Sequence, residues 1–98
     1  MFILILTYKA PLEKVLELLD AHRCYLEKYY AIGNFLASGP QVPRKGGIIL
    51  CQAKSKMEVE NIVKEDPFNA IADYQIIEFE VNKACLLYTS PSPRDAHE

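Results

Sequence analysis

Phe2-Ile3-Leu4-Ile5-Leu6-Thr7-Tyr8 opens the chain as an unbroken β-branched, aliphatic and aromatic run, the composition of a strand. A strand covered on one face only alternates apolar with polar positions. This one does not alternate, so both of its faces need cover. The elements that follow supply cover for one. Pro11 opens a helix where its missing N–H costs nothing. Apolar residues then recur at Leu12, Val15, Leu16, Leu19, Leu26 and Tyr30, and Gly33 ends the helix as a left-handed cap.

Phe35 to Ser38 reads as a second, short strand stopped by Gly39-Pro40. Gln41 to Lys45 is a loop, and Gly46-Gly47 releases the chain into a third strand, Ile48 to Ala53. Ser55 with Glu58 is a capping-box signature for a second helix, which carries Val59, Ile62 and Val63 on one side. That helix ends near Asp66, because a residue preceding proline is pushed out of the helical region. Pro67 to Ala72 is an irregular turn. In a fourth strand, Tyr74 to Val81, Ile77, Phe79 and Val81 alternate with Glu78 and Glu80.

The order β-α-β-β-α-β predicts an α+β, ferredoxin-like fold: a four-stranded antiparallel sheet with two helices on one face. Strands one and three are apolar on both faces, and two helices can cover only one. The cheapest cover for the other is a second copy packed sheet against sheet, so a homodimer is expected. From Cys85 the composition turns to Ser, Pro and Thr without periodicity, and Leu86 to Asp95 (LLYTSPSPRD) resembles a translated sequencing adapter. The expected organisation is one domain over residues 1–83 and a disordered, artefactual tail over 84–98.

Bulk properties narrow the function. Ninety-eight residues at 50% hydrophobic content make one small domain with one core. The net charge is −2 with acids and bases interspersed, and no basic stripe could meet a phosphate backbone. RNA-recognition domains share this element order, but the third strand lacks the aromatics that stack bases, so no nucleic-acid partner is expected. The apolar run Phe2 to Leu6 is too short to span a bilayer or form a signal-peptide core. The expectation is a cytoplasmic protein with no membrane partner. Cys24, Cys51 and Cys85 are odd in number and lack CxxC spacing, which argues against a disulfide framework or a zinc site. Gly46-Gly47 precedes a strand instead of opening a helix, so it is no phosphate-binding loop. No metal and no cofactor are expected.

The residue that stands out is His22, three positions after Leu19 and four before Leu26, inside the apolar stripe of the first helix. An imidazole there needs a polar partner, since a buried polar group without one costs about 1–3 kcal/mol. A core histidine bonded to a backbone carbonyl and a functional histidine both satisfy that demand. Cys24 does not form a catalytic pair with it, because residues two apart on a helix point to different sides.

Several ordered pieces match one family: His22-Arg23 with Leu26, Phe35-Leu36-Ala37-Ser38-Gly39-Pro40, Pro43-Arg44-Lys45-Gly46-Gly47-Ile48, Asp66-Pro67-Phe68, and Tyr74-Gln75-Ile76-Ile77-Glu78-Phe79. Over about residues 1–83 the chain resembles the YCII-related (YciI-like) domain family. The resemblance implies a fold of the dimeric α+β barrel group and a histidine–aspartate pair, here His22 and Asp66, in a pocket. It implies proton-transfer chemistry of lyase, dehydrohalogenase or isomerase type on a small cyclic or aromatic molecule. The carboxylate would bind one imidazole nitrogen and fix the tautomer, leaving the other nitrogen as general base or acid. An ordinary Asp-Pro helix stop explains Asp66 equally well. Ser38 and Gly39 end a strand where backbone can approach a ligand, against ordinary turn chemistry. Arg44 can clamp a carboxylate or phenolate, against a solvated loop charge. Arg23 falls at the pocket rim or in a salt bridge. A non-catalytic ligand-binding or regulatory module using the same pocket is the alternative function.

Overall fold

The structure is a computed structural model that describes residues 1–85. Strand β1 spans Phe2–Tyr8, helix α1 Leu12–Ile32, β2 Phe35–Pro40, β3 Gly46–Cys51, α2 Lys56–Lys64 and β4 Ala72–Glu78, with a 3-10 turn at Pro67–Ala70 before β4. The strands form one antiparallel sheet in the order β2-β3-β1-β4. Phe2, Leu4 and Leu6 from β1, with Ile49 and Cys51 from β3, face the helices and are almost fully buried. The intervening residues Ile3 and Ile5 pair with Leu50 and Ile48 of β3, and Ile3 also pairs with Ile77 of β4. These side chains make the open face apolar along its centre.

Both helix boundaries have local causes. Pro11, extended at ψ 155°, stands just before the first helical residue, one position earlier than expected and for the same reason. Gly33 closes α1 at φ 101°, and its N–H and that of Asn34 donate to the last carbonyls, Tyr29 among them. Ser55 accepts from the Glu58 N–H and caps α2 as its sequence indicates, while the Glu58 carboxylate turns back to the Lys54 N–H.

The stripe of α1 that meets the core is rotated from the expected one. Val15, His22, Tyr25 and Tyr29 are buried, with Leu18 packed beside them. Leu12 and Leu16 are each 53% exposed and Tyr30 is 39% exposed. The tyrosines account for the rotation: each offers a large apolar body, and Tyr25 can sit inside because its hydroxyl donates to the Ile62 carbonyl at 2.9 Å. Tyr25, Tyr29 and Phe35 stack edge-on into one aromatic cluster, with centroids 5.3–5.6 Å apart.

Three strands also differ in extent from the sequence reading. β2 continues through Gly39-Pro40, which an edge strand tolerates because the missing proline donor faces no neighbour. β3 begins at Gly46 and ends at Cys51. β4 begins at Ala72, so Ala72, Tyr74 and Ile76 look toward the core while Ile77 lies on the open face. An irregularity between Phe35 and Ala37 breaks the β2 register. Phe35 pairs with Cys51 and Ser38 with Ile49, so both point to the helix-covered side, although three residues apart they would otherwise lie on opposite faces. This bulge aims Ser38 at α1.

At Gly46 only glycine fits. A β-carbon there would stand 1.7 Å from the Leu6 carbonyl oxygen. Gly46→Ala should therefore destabilise the fold by about 3 kcal/mol in urea denaturation, through forced separation of β1 and β3. Gly39→Ala, whose added carbon meets nothing within 4 Å, should stay within about 0.5 kcal/mol of the parent.

Candidate functional site

Asp66 leaves the end of α2 in extended geometry, φ −73° and ψ 122°, as the following proline requires. Its carboxylate is 2% exposed and turned inward. Oδ1 accepts from the Phe68 N–H at 2.8 Å, which caps the 3-10 turn, and also lies 2.7 Å from His22 Nδ1. Oδ2 accepts from the Tyr74 hydroxyl on β4. The helix stop and the histidine contact are thus one device: the proline turns the chain, and the turn delivers the carboxylate.

With Asp66 ionised, the hydrogen bonds at this hub have one arrangement. The Phe68 amide can only donate, so it needs an acceptor at Oδ1. Burial and the neighbouring Asp66 charge push the Tyr74 hydroxyl well above the usual tyrosine range, so it keeps its proton and donates. A carboxylate receiving those two bonds takes a third from the imidazole, so Nδ1 carries a proton. In the neutral ring Nε2 is then the unprotonated nitrogen, with no hydrogen-bond partner among the described residues. Phe68 lies flat on the imidazole, 3.8 Å between centroids and 4° between planes, and fixes its orientation.

His22 borders a cavity of about 310 Å³ between α1 and the β2–β3 half of the sheet. Every residue singled out in the sequence has a defined position here. His22, Arg23, Ser38, Gly39 and Arg44 all line the cavity, while Asp66 stands behind the histidine, out of the cavity. Ser38 Oγ is 2.6 Å from the Tyr30 hydroxyl. One of these two groups donates to the other, and the acceptor's own proton remains available. Leu19 and Leu26, expected in the core stripe, pack half-buried against the core and also line the cavity. Among the described residues no group of three or more His, Cys, Asp or Glu side chains gathers as for a metal ion. Nor is any helix there long and apolar enough to cross a membrane.

Sequence reasoning missed Tyr74 and Phe68 as parts of the site. Phe68 follows Asp66 by two positions, as an Asx-turn acceptor requires, so a local signal existed. Tyr74 had only its alternation with Ile76, which placed it on the core side without revealing the carboxylate it meets.

The YCII-related domain model matches residues 1–80. The chain belongs to the YCII-related domain family. A solved structure, 5-chloro-2-hydroxyhydroquinone dehydrochlorinase (TftG) from Burkholderia phenoliruptrix AC1100 in complex with 2,5-dihydroxybenzoquinone, has the same fold with a TM-score of 0.67. It is 24% identical, over 82% of this chain and 94% of that one. Among curated proteins none matches the chain in sequence. The fold is thus the ferredoxin-like α+β arrangement expected from the residues, and the dehydrochlorinase shares it.

Burial raises Tyr25 and Tyr74 out of the usual tyrosine range and pushes the Cys51 thiol up to about 11. In each case the unfolded chain ionises first, so the stabilisation is full below the unfolded pKa and is lost as pH rises. Urea denaturation should therefore show stability falling from about pH 9 upward, and more steeply above about pH 10 as the tyrosines join. Tyr74→Phe should lower stability by about 1.5–3 kcal/mol at neutral pH, the loss of a bond to a charged group, and should flatten the alkaline decline.

Proposed function

We propose that the protein is an enzyme in which His22, oriented by Asp66, transfers a proton to or from a small cyclic or aromatic molecule in the cavity. The observation that carries this reading is the 2.7 Å contact between His22 Nδ1 and a fully buried carboxylate, with the other ring nitrogen left without a partner among the described residues. Here Nε2 takes a proton from the substrate, and the resulting imidazolium is held against the Asp66 charge. The electron pair left behind either accepts a proton at a second position, an isomerase step, or expels a leaving group, a lyase or dehydrohalogenase step. Positioned acid–base catalysis of this kind is worth about 10²–10⁴ in rate. The dehydrochlorinase whose fold this chain shares supports the elimination branch by analogy.

The same reading includes a homodimer joined through the open sheet face. Ile3, Ile5, Ile48 and Leu50 form its centre, and Ile77 and Phe79, each 39% exposed, extend it. An apolar patch on that scale is unusual on a solitary domain. Cytoplasmic residence belongs to this proposal too.

A thermal-shift screen of ring compounds, followed by assays of solvent deuterium exchange into the hits, should find a substrate that exchanges or turns over. His22→Gln should keep the fold and lose that reaction, and Asp66→Asn should retain more activity than His22→Gln because the base remains. Hits that bind but never exchange, or a His22→Gln protein at the native rate, would leave a non-catalytic binding module. Sedimentation equilibrium of the full chain at micromolar concentration should give twice the chain mass. A stable, clean monomer would remove the covered-sheet argument.

A further inference from the structure

We propose that the ligand of this cavity carries a carboxylate on a small ring, and that Arg23 and Arg44 hold it. The inference deepens the proton-transfer reading, but of that reading it uses only the choice of cavity.

Both arginines of the described residues line the cavity, and none of the lysines does. No carboxylate lines it, since Asp66 is enclosed behind His22. Acids outnumber lysines and arginines in the chain, 13 to 11, and Lys9, Lys14 and Lys28 find carboxylate partners. Among the described residues neither arginine has one. Two arginines therefore line one small cavity with no carboxylate partner among the described residues.

They arrive from separate elements. Arg23 follows His22 on α1. Arg44 sits in the β2–β3 loop, and that loop is tied down at both ends. The Gln41 side-chain amide donates to the Leu6 carbonyl at 3.0 Å and its backbone N–H to Gly46 at 2.9 Å, while the Tyr8 N–H donates to the Lys45 carbonyl at 2.9 Å.

The chemistry of the walls selects the ligand. A guanidinium fork matches a planar oxyanion with two parallel hydrogen bonds, a geometry an ammonium cannot offer. Leu6, Leu19, Leu26, Ile49 and Phe68 supply much of the remaining lining and lower the local dielectric, which strengthens those bonds. A volume of about 310 Å³ is at the lower end for ligand sites, suited to one substituted ring.

The test uses the full chain and three matched pairs: benzoate, salicylate and 4-hydroxybenzoate, each against its neutral amide, titrated by amide-resonance NMR. At least one acid should shift resonances of the cavity residues and bind about tenfold or more tightly than its amide, with the difference shrinking as salt is raised. Arg23→Gln and Arg44→Gln, at exposed positions that leave the spectrum dispersed, should each weaken that acid by about tenfold while leaving the amide unchanged. His22→Gln should keep the preference for the acid. Acid and amide binding alike, no acid binding at all, or acid binding untouched by both arginine substitutions would overturn the assignment. Loss of the preference in His22→Gln alone would move the anion to the imidazole, which also overturns it. Because binding alone is read, an anion site without turnover and a catalytic dyad without an anion site give different results.

Discussion

A buried carboxylate must collect donors or give up its charge, and the site is organised around how Asp66 meets that demand. Its oxygens receive the Phe68 amide, the Tyr74 hydroxyl and His22 Nδ1, one donor each from the turn, the last strand and the first helix. Leaving one such charge unpaired inside a protein costs several kcal/mol, so the three donors are held to their positions as firmly as the carboxylate is. The arrangement fixes more than stability. With every lone-pair direction toward the imidazole answered by a proton on Nδ1, the only basic nitrogen left on the ring is Nε2. The orientation of the imidazole is thus set by a carboxylate that stands outside the cavity.

The sheet determines where the cavity can form. α1 presents two neighbouring flanks, one carrying Val15, His22, Tyr25 and Tyr29 into the core and one carrying Leu19, Arg23 and Leu26 along the cavity. The bulge after Phe35 lets β2 serve both: Phe35 joins the aromatic core and Ser38 reaches Tyr30 over the cavity. Without the bulge one of the two residues would point to the open face. A close approach of β1 and β3 at Gly46 anchors the end of the loop that carries Arg44.

Much of this was legible in the sequence because it rests on short-range rules. The unbroken apolar β1, the Ser55 cap, the Gly33 stop and the proline after Asp66 each act within a few residues, and together they give the β-α-β-β-α-β order. The polar residues of the site were legible individually as types out of pattern: a histidine in an apolar helix and an arginine ahead of two glycines. What the sequence hid depends on distance along the chain. His22 and Asp66 are 44 positions apart, and only the packing of α1 on the turn that follows α2 brings them together. The rotation of the core stripe onto Tyr25 and Tyr29 depends on an acceptor, the Ile62 carbonyl, that no local reading of α1 contains. Strand ends were misjudged at Pro40 and Gly46, where edge position and backbone approach override the usual turn meaning of Pro and Gly.

The central claim is that Asp66 fixes the His22 tautomer and so leaves Nε2 as the base. Long-range proton–nitrogen correlation spectra of the imidazole, with His22 assigned through a His97→Gln variant, read this directly in the neutral ring. The account predicts a protonated Nδ1 and a bare, pyridine-like Nε2. A neutral His22 protonated on Nε2, or one averaging freely between the two tautomers, would contradict it.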